Sequence, residues 1–367
     1  MKTVFNASEL NRYQRHFALA GFGPVAQEKL KGGTVLVIGA GGLGCPALLY
    51  LAAAGVGRLV IVDDDRVEAS NLQRQVLFTE ADVGAPKAVA AGRRLAALNS
   101  DIGIEALPVR FARGNALDLV GSVDVVVDGS DNFPTRYLVN DACVMAGKPF
   151  VYGAVQGFAG QLSVFNWRNG PTYRCLFSEP PAPGTVPNCA AAGVLGVLPG
   201  LIGTAQACEA IKLITGIGEP LSGRLLLWDA LTMTTQVVTL AADPRQRDIR
   251  ALPPEGYGET CAAPPDEITE IDPATLRAAA GTPQLLDVRE GWERALGAIQ
   301  PSLHVPLGRL ERGEGTADLA GFDPAAPTVV FCAHGMRSLR GARALRERYG
   351  FRSVASLRGG YEKWSRG

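Results

Sequence analysis

The sequence has no excess charge of either sign: lysine plus arginine and aspartate plus glutamate stand at 36 each. A chain so balanced carries no electrostatic footprint for nucleic acid or for an anionic membrane surface. The first ten residues lack a basic segment followed by an apolar core, so no export signal is expected. No run of about eighteen apolar residues is free of charges or of glycine and proline breaks, so no membrane span is expected. Cysteine is sparse. Its seven positions (45, 143, 175, 189, 208, 261 and 332) are scattered and odd in number. That pattern fits a reducing cytoplasm with a working thiol better than a disulfide framework. What remains is ordinary globular composition, 47% hydrophobic and 20% charged, in 367 residues that suggest two or three domains.

Residues 7–30 read as helical. Apolar β-type runs at 34–39, 58–63, 102–108, 123–128 and 149–152 then alternate with helical runs at 43–54, 87–98 and 134–146. Such alternation predicts a parallel, doubly wound sheet. Strands at 160–166 and 224–231 read as antiparallel, around a long helix at 194–215. The proline-rich Pro180-Pro181-Ala182-Pro183-Gly184 predicts an irregular, mobile loop. A Pro-, Arg- and Gly-rich stretch at 242–265 reads as a linker. This gives a first domain at 1–245, a linker at 246–266 and a second domain at 267–367. The second carries its own α/β pattern: strands at 284–288, 328–331 and 353–357, a helix at 338–349 and a terminal helix at 359–364.

Gly39-Ala40-Gly41-Gly42-Leu43-Gly44 lies between a strand and a helix, where glycines permit a tight turn and phosphates can rest on helix N–H groups. Asp63 ends the next strand, placed to accept from ribose hydroxyls. Alone, this is a generic dinucleotide fingerprint. Ser70-Asn71-Leu72-Gln73-Arg74-Gln75, Lys87 and Asp131-Asn132 with Arg136 add a polar set that hydride transfer does not need. Arg74 and Lys87 can offset phosphate charge, and Asp131 can hold Mg²⁺, which suits a triphosphate. A nicotinamide oxidoreductase would share the glycine turn but leave these residues, and Cys332, without a role.

Cys332 follows the apolar run Thr328-Val329-Val330-Phe331 and opens Cys332-Ala333-His334-Gly335-Met336-Arg337-Ser338, ahead of a helix. A thiol there faces unpaired N–H groups and the positive end of a helix dipole, which favours thiolate. Arg337 adds a cation at the rim. Cys45, Cys143 and Cys208 lie in apolar helical stretches and read as core fillers. Cys261, in the linker, has no assignment beyond a redox pairing with another loop cysteine.

Together these motifs resemble the adenylating enzymes that activate ubiquitin-like sulfur carriers, of the molybdopterin-synthase sulfurylase type. The resemblance covers nearly the whole chain. It implies a Rossmann-like adenylating domain with a mostly parallel sheet, followed by a small α/β rhodanese domain. Leu285-Leu286-Asp287-Val288-Arg289-Glu290, Pro306-Leu307 and Gly359-Gly360-Tyr361-Glu362-Lys363-Trp364 carry the second half; Ala298-Ile299-Gln300-Pro301 departs from the usual segment. The resemblance implies ATP and Mg²⁺ held by Gly39, Gly41, Gly42, Gly44, Asp63, Asp65, Ser70, Asn71, Leu72, Gln73, Arg74, Lys87, Asp131 and Asn132. It matches Arg12-Tyr13-Gln14-Arg15 and implies that Arg15 reaches the nucleotide of a second subunit in a homodimer. Cys189 takes the place of the adenylation-domain cysteine. It either delivers a thiol to the adenylate, resolves an acyl disulfide made by Cys332, or is inert.

Cys332 would become a persulfide, with His334 lining its entrance. The implied partner is a small β-grasp sulfur carrier ending in Gly-Gly, serving molybdopterin synthase or else thiamine, cysteine or tRNA thiolation. The sulfur donor would be a cysteine desulfurase or thiosulfate. Many relatives hold zinc in two Cys-x-x-Cys pairs. Here the first reads Thr172-Tyr173-Arg174-Cys175, and the second, near residues 243–248, has no cysteine, so no structural zinc is expected.

Overall fold

The computed structural model describes residues 4–180, 193–253, 257, 268–278, 281 and 283–366. Cys189, Cys261 and residues 181–184 of the proline-rich segment lie outside them. The chain divides into two compact units, Met1–Ala262 and Ala263–Gly367.

The first unit is an eight-stranded sheet in the order β3-β2-β1-β4-β5-β6-β7-β8. Its strands are β1 (Thr34–Ile38), β2 (Arg58–Val62), β3 (Gly103–Leu107), β4 (Val125–Asp128), β5 (Phe150–Gln156), β6 (Ala159–Phe165), β7 (Arg224–Asp229) and β8 (Thr234–Thr239). The first five pair in parallel, and β5 through β8 run antiparallel. Parallel strands buried on both faces need near-continuous apolar side chains, which is why β1 runs Val-Leu-Val-Ile after the half-buried Thr34. Its residues alternate between two cores: Val35 and Val37 join one, Leu36 and Ile38 the other.

The helices are α1 (Ala7–Arg12), α2 (Gln14–Phe17), α3 (Gly23–Gly32), α4 (Gly44–Ala54), α5 (Lys87–Leu98), α6 (Arg113–Gly121), α7 (Phe133–Ala146), α8 (Tyr173–Leu176) and α9 (Val197–Thr215). The expected single helix over 7–30 is three short ones. Helix α1 starts at an Asn6–Glu9 capping box, and Gly21 and Gly23, both at positive φ, break the run. By length and composition α9 is apolar enough to cross a membrane, but half of it is buried within this unit. Mid-helix, the Gln206 amide donates to the carbonyls of Asp128 (2.7 Å) and Val151 (3.2 Å), fastening α9 across the ends of the central strands. The stretch read as linker begins packed on this unit. Leu252 is in its core, and the Tyr257 hydroxyl donates to Asp141 at 2.6 Å.

The second unit is a five-stranded parallel sheet in the order β11-β10-β12-β13-β9. Its strands are β9 (Thr269–Ile271), β10 (Gln284–Asp287), β11 (Leu303–His304), β12 (Thr328–Phe331) and β13 (Val354–Leu357). Its helices are α10 (Pro273–Ala278), α11 (Gly291–Ala295), α12 (Leu307–Glu311), α13 (Met336–Tyr349) and α14 (Gly360–Ser365). Cys332 follows the central strand β12 on the face that also buries Leu286, Val288 and Leu345.

Candidate functional site

The strand-to-helix turn after β1 forms one wall of a cavity of about 580 Å³. Gly39 takes φ +86° to make the turn. A Cβ on Gly44 would lie 1.9 Å from the Gly39 carbonyl oxygen, so only glycine lets α4 start against the strand end. Gly39, Gly41, Gly42, Asp63, Asp65, Asn71, Arg74, Lys87, Asp131 and Asn132 all line this cavity. Gly44, Ser70, Leu72 and Gln73 do not. Gly44 acts one step back through the turn, and Ser70 accepts Arg74 Nη1 on its carbonyl at 3.2 Å. Arg15 is exposed on α2 and does not line the cavity of its own chain.

Both Asp63 carboxylate oxygens take backbone donors, Ala40 N at 2.7 Å and Asp65 N at 2.8 Å. Burial nevertheless pushes its carboxyl up, against the opposing pull of Lys87. Lys87 Nζ is buried and paired with the exposed Asp65 at 2.8 Å. A bound polyphosphate therefore competes with Asp65 for this cation. Asp63, Asp64 and Asp65 bring carboxylate oxygens within 4.8 Å of one another. Asp63 already serves backbone N–H groups and Asp65 serves Lys87, which leaves the exposed Asp64 on this wall and Asp131 across the cavity as accessible oxygen donors. Asp131 is exposed beside Asn132, whose side chain caps α7 by accepting Thr135 N at 3.0 Å. Hard oxygen donors on an open wall suit Mg²⁺.

Several lining residues escaped the sequence reading: Arg110, Phe111, Val194 and Pro199. Gln75 and Arg136, which belong to the polar set singled out in the sequence, also line it, whereas Val194 and Pro199 reach the cavity from the region of α9 and carried no signal. Below the cavity Asp128 is fully buried. Its Oδ1 accepts Ser130 N (3.0 Å) and Ser130 Oγ (2.6 Å), which fixes the turn leading to Asp131. Burial raises the Asp128 carboxyl and Arg136 pulls it down.

In the second unit Cys332 is 1% exposed. Its Sγ accepts the Gly335 N–H at 3.1 Å. Gly335 itself is at φ +101° and caps α13. The helix starts at Met336, two residues earlier than expected, so Arg337 and Ser338 belong to its first turn. The carbonyls of Cys332 and Ala333 accept Tyr361 N (2.7 Å) and Glu362 N (3.1 Å), tying the loop to the start of α14. Arg337, expected to be an available cation, is clamped by Glu293: Nη1 reaches Oε2 at 2.6 Å, and Nη2 bonds the other oxygen. The Glu293 hydrogen bond raises the guanidinium further. Burial pushes Glu293 up, and the bonds from Arg337 and the Glu290 N–H more than reverse this, leaving it low. His334 is exposed and faces Glu362 at 2.6 Å.

The two segments that correspond to the zinc-binding pairs of relatives, where no zinc was expected, do meet in space, around a hydrogen-bonded sulfur. Cys175 Sγ accepts the N–H groups of Thr172 and Asp243, each at 3.3 Å. Arg247 donates to the Gly170 carbonyl (2.6 Å) and to Asn166 Oδ1 (2.8 Å). One thiol among backbone groups and an arginine does not fit a tetrahedral zinc. Among the helical cysteines Cys45 and Cys143 are buried as expected, but Cys208 is exposed on α9. Helix α9 is rich in apolar residues, but its packing covers only part of it: Ala207 and Ala210 are buried while Cys208 faces out.

A glycine-turn nucleotide pocket on a Rossmann-like sheet, followed by a cysteine loop on a small parallel sheet, defines an adenylating enzyme joined to a sulfurtransferase domain. Residues 13–249 match the ThiF family, and residues 272–366 match the rhodanese-like domain. The chain belongs to the ThiF family, and it is an adenylyltransferase and sulfurtransferase. It is 42% identical over 378 residues to the probable adenylyltransferase/sulfurtransferase MoeZ of Mycobacterium tuberculosis, covering 99% of this chain and 95% of that one. It is 55% identical over 242 residues to the sulfur carrier protein adenylyltransferase of Thermus thermophilus, covering 65% of this chain and 89% of that one. Among solved structures, E. coli MccB with ATP aligns with a TM-score of 0.55 at 25% identity, covering 66% of this chain and 74% of that chain.

Proposed function

We propose that the chain uses ATP to adenylate the C-terminal glycine of a small β-grasp sulfur carrier, and that Cys332 then supplies the sulfur. The observation that carries the reading is the meeting of Arg74, Lys87 and Asp131 in one cavity with the Gly39–Gly42 turn. The carrier carboxylate attacks the α-phosphorus, pyrophosphate leaves, and the products are an acyl adenylate and pyrophosphate. The chain's share is positioning and charge neutralisation. Arg74 and Lys87 face the phosphates, the helix start after the glycine turn offers N–H groups, and Asp63 takes the ribose hydroxyls. Asp131, with Asn132 beside it, would hold Mg²⁺, which when bound neutralises phosphate charge.

The terminal sulfur of a Cys332 persulfide attacks the acyl carbon and AMP leaves, forming an acyl disulfide. A thiol then reduces the disulfide and frees the thiocarboxylate, with Cys189 as the candidate from within the chain. That step leaves Cys332 in a disulfide with the attacking thiol; an external dithiol would reduce it, and a cysteine desulfurase or thiosulfate would then reload the freed Cys332 thiolate. The carrier is of the molybdopterin-synthase type or one serving thiamine, cysteine or tRNA thiolation. The relatives' names support this reading: one denotes an enzyme acting on a sulfur carrier protein. The exposure of Arg15 away from its own cavity is consistent with a homodimer in which it reaches the second subunit's nucleotide. The balanced charge and reduced cysteines fit the cytoplasm, and the domain limits near 245 and 267 complete the proposal.

Two variants test it together. Asp131→Ala lowers ATP–pyrophosphate exchange about a hundredfold or more, as expected when transition-state charge loses its partner. Cys332→Ala keeps the exchange and abolishes thiocarboxylate formation, read by mass spectrometry of the carrier. Normal exchange in the first variant, or undiminished thiocarboxylate in the second, refutes the corresponding half.

A further inference from the structure

Beneath Cys332 lie two wholly buried hydroxyls, Ser338 in the first turn of α13 and Ser356 in β13. Ser338 Oγ is 2.7 Å from the Gly335 carbonyl oxygen, which can only accept, so the single Ser338 hydrogen points there. Ser338 Oγ must therefore accept from its other two neighbours. These are Ser356 Oγ at 2.9 Å and the Cys332 S–H at 3.6 Å. The direction of every proton in this chain is fixed by one carbonyl.

We propose that Ser338 and Ser356 form a buried hydroxyl relay that positions the proton of Cys332 and supports its thiolate. When the S–H proton leaves to water, Sγ changes from donor to acceptor. Ser338 can then turn its hydrogen from the Gly335 carbonyl to Sγ, joining the Gly335 N–H as a second donor. Ser356 donates to Ser338 in both states, and that polarises Ser338 as a donor to sulfur. The charged groups around the loop are closed pairs: Arg337 with Glu293 of α11, His334 with Glu362 of α14, and Arg289 and Arg294 with Asp287 at the end of β10. Within this set the hydroxyl relay is the adjustable part. Both serines are positioning residues, Ser356 acting only through Ser338.

The inference rests on Cys332 as the sulfur-carrying thiol, and its test separates the two. The rate of Cys332 alkylation by iodoacetamide is measured against pH in the full-length protein, with the modified peptide quantified by mass spectrometry. Ser356→Ala raises the midpoint by about half a unit, about a threefold loss in thiolate at pH below the midpoint. Ser338→Ala raises it further, and the double variant matches Ser338→Ala alone. An unchanged midpoint in Ser356→Ala overturns the relay, as does a double variant whose shift is the sum of the two. Should Ser338→Ala fail to fold, Ser356→Ala decides alone. Loading of the unmodified protein with thiosulfate, followed by cyanide release of thiocyanate, tests Cys332 as sulfur carrier independently. A shifted midpoint without thiocyanate keeps the relay and removes the sulfur role.

Discussion

Cys45 donates from Sγ to the Ala40 carbonyl at 3.2 Å, and burial pushes its thiol up to about 12. Burial also raises Cys143 well above the ordinary range. Both side chains remain protonated packing groups, because a thiolate there would lose its water, a loss that at Cys45 outweighs the opposing pull of Lys87. Cys208 differs only in facing outward. Brief N-ethylmaleimide treatment near neutral pH should modify the exposed Cys208 and leave Cys45 and Cys143 unmodified, since both are buried and burial holds their thiols protonated. Peptide mapping of the native protein checks this; comparable labelling at Cys45 would contradict its burial. The sequence grouped these three cysteines together because each has apolar neighbours. Composition records what surrounds a residue along the chain, and not which side of a helix finds a packing partner.

Strands with unbroken apolar runs, such as Val35–Ile38 in β1, Val125–Val127 in β4 and Val329–Phe331 in β12, were legible, since burial on two faces leaves that mark in sequence. Helix α6 and strand β8 were not. The first, Arg-Gly-Asn-Ala-Leu-Asp-Leu-Val-Gly, has a glycine at each end of a polar stretch, and the second, Thr-Thr-Gln-Val-Val-Thr, is exposed at every residue. Their conformation is imposed by neighbours, β8 by its antiparallel ladder with β7. Much of the nucleotide site was legible because a turn pressed against a strand dictates its glycines. Gly44→Ala would set a methyl 1.9 Å from backbone, with an expected loss of about 1–3 kcal/mol or more, read from the denaturant midpoint. Gly42→Ala meets side chains alone, Pro199 at 3.1 Å and Arg74 at 3.6 Å, and should cost less. Equal stability of the two variants would show that the turn yields more readily than its geometry implies.

At the scale of the whole chain, two sheets, each with apolar clusters packed on it, follow from two successive α/β patterns. The linker reading was less informative, because Leu252 and Tyr257 carry their packing within a stretch whose composition suggests none. The ionic character of the sulfur loop was also hidden. Arg337 looked like an available cation in sequence, since its partner Glu293 lies more than forty residues away. That clamp has a kinetic consequence. With no net molecular charge and with Arg337 and His334 each facing a glutamate, an anion such as thiosulfate approaches Cys332 without long-range steering. Capture then depends on short-range fit, and the rate of sulfur loading from thiosulfate should change less than about twofold between low and physiological ionic strength. A steep rise in dilute buffer, measured by stopped-time thiocyanate release, would reveal an attractive field. The loop thus admits a donor on contact geometry, with sulfur from a neutral or protein-bound source at no electrostatic disadvantage.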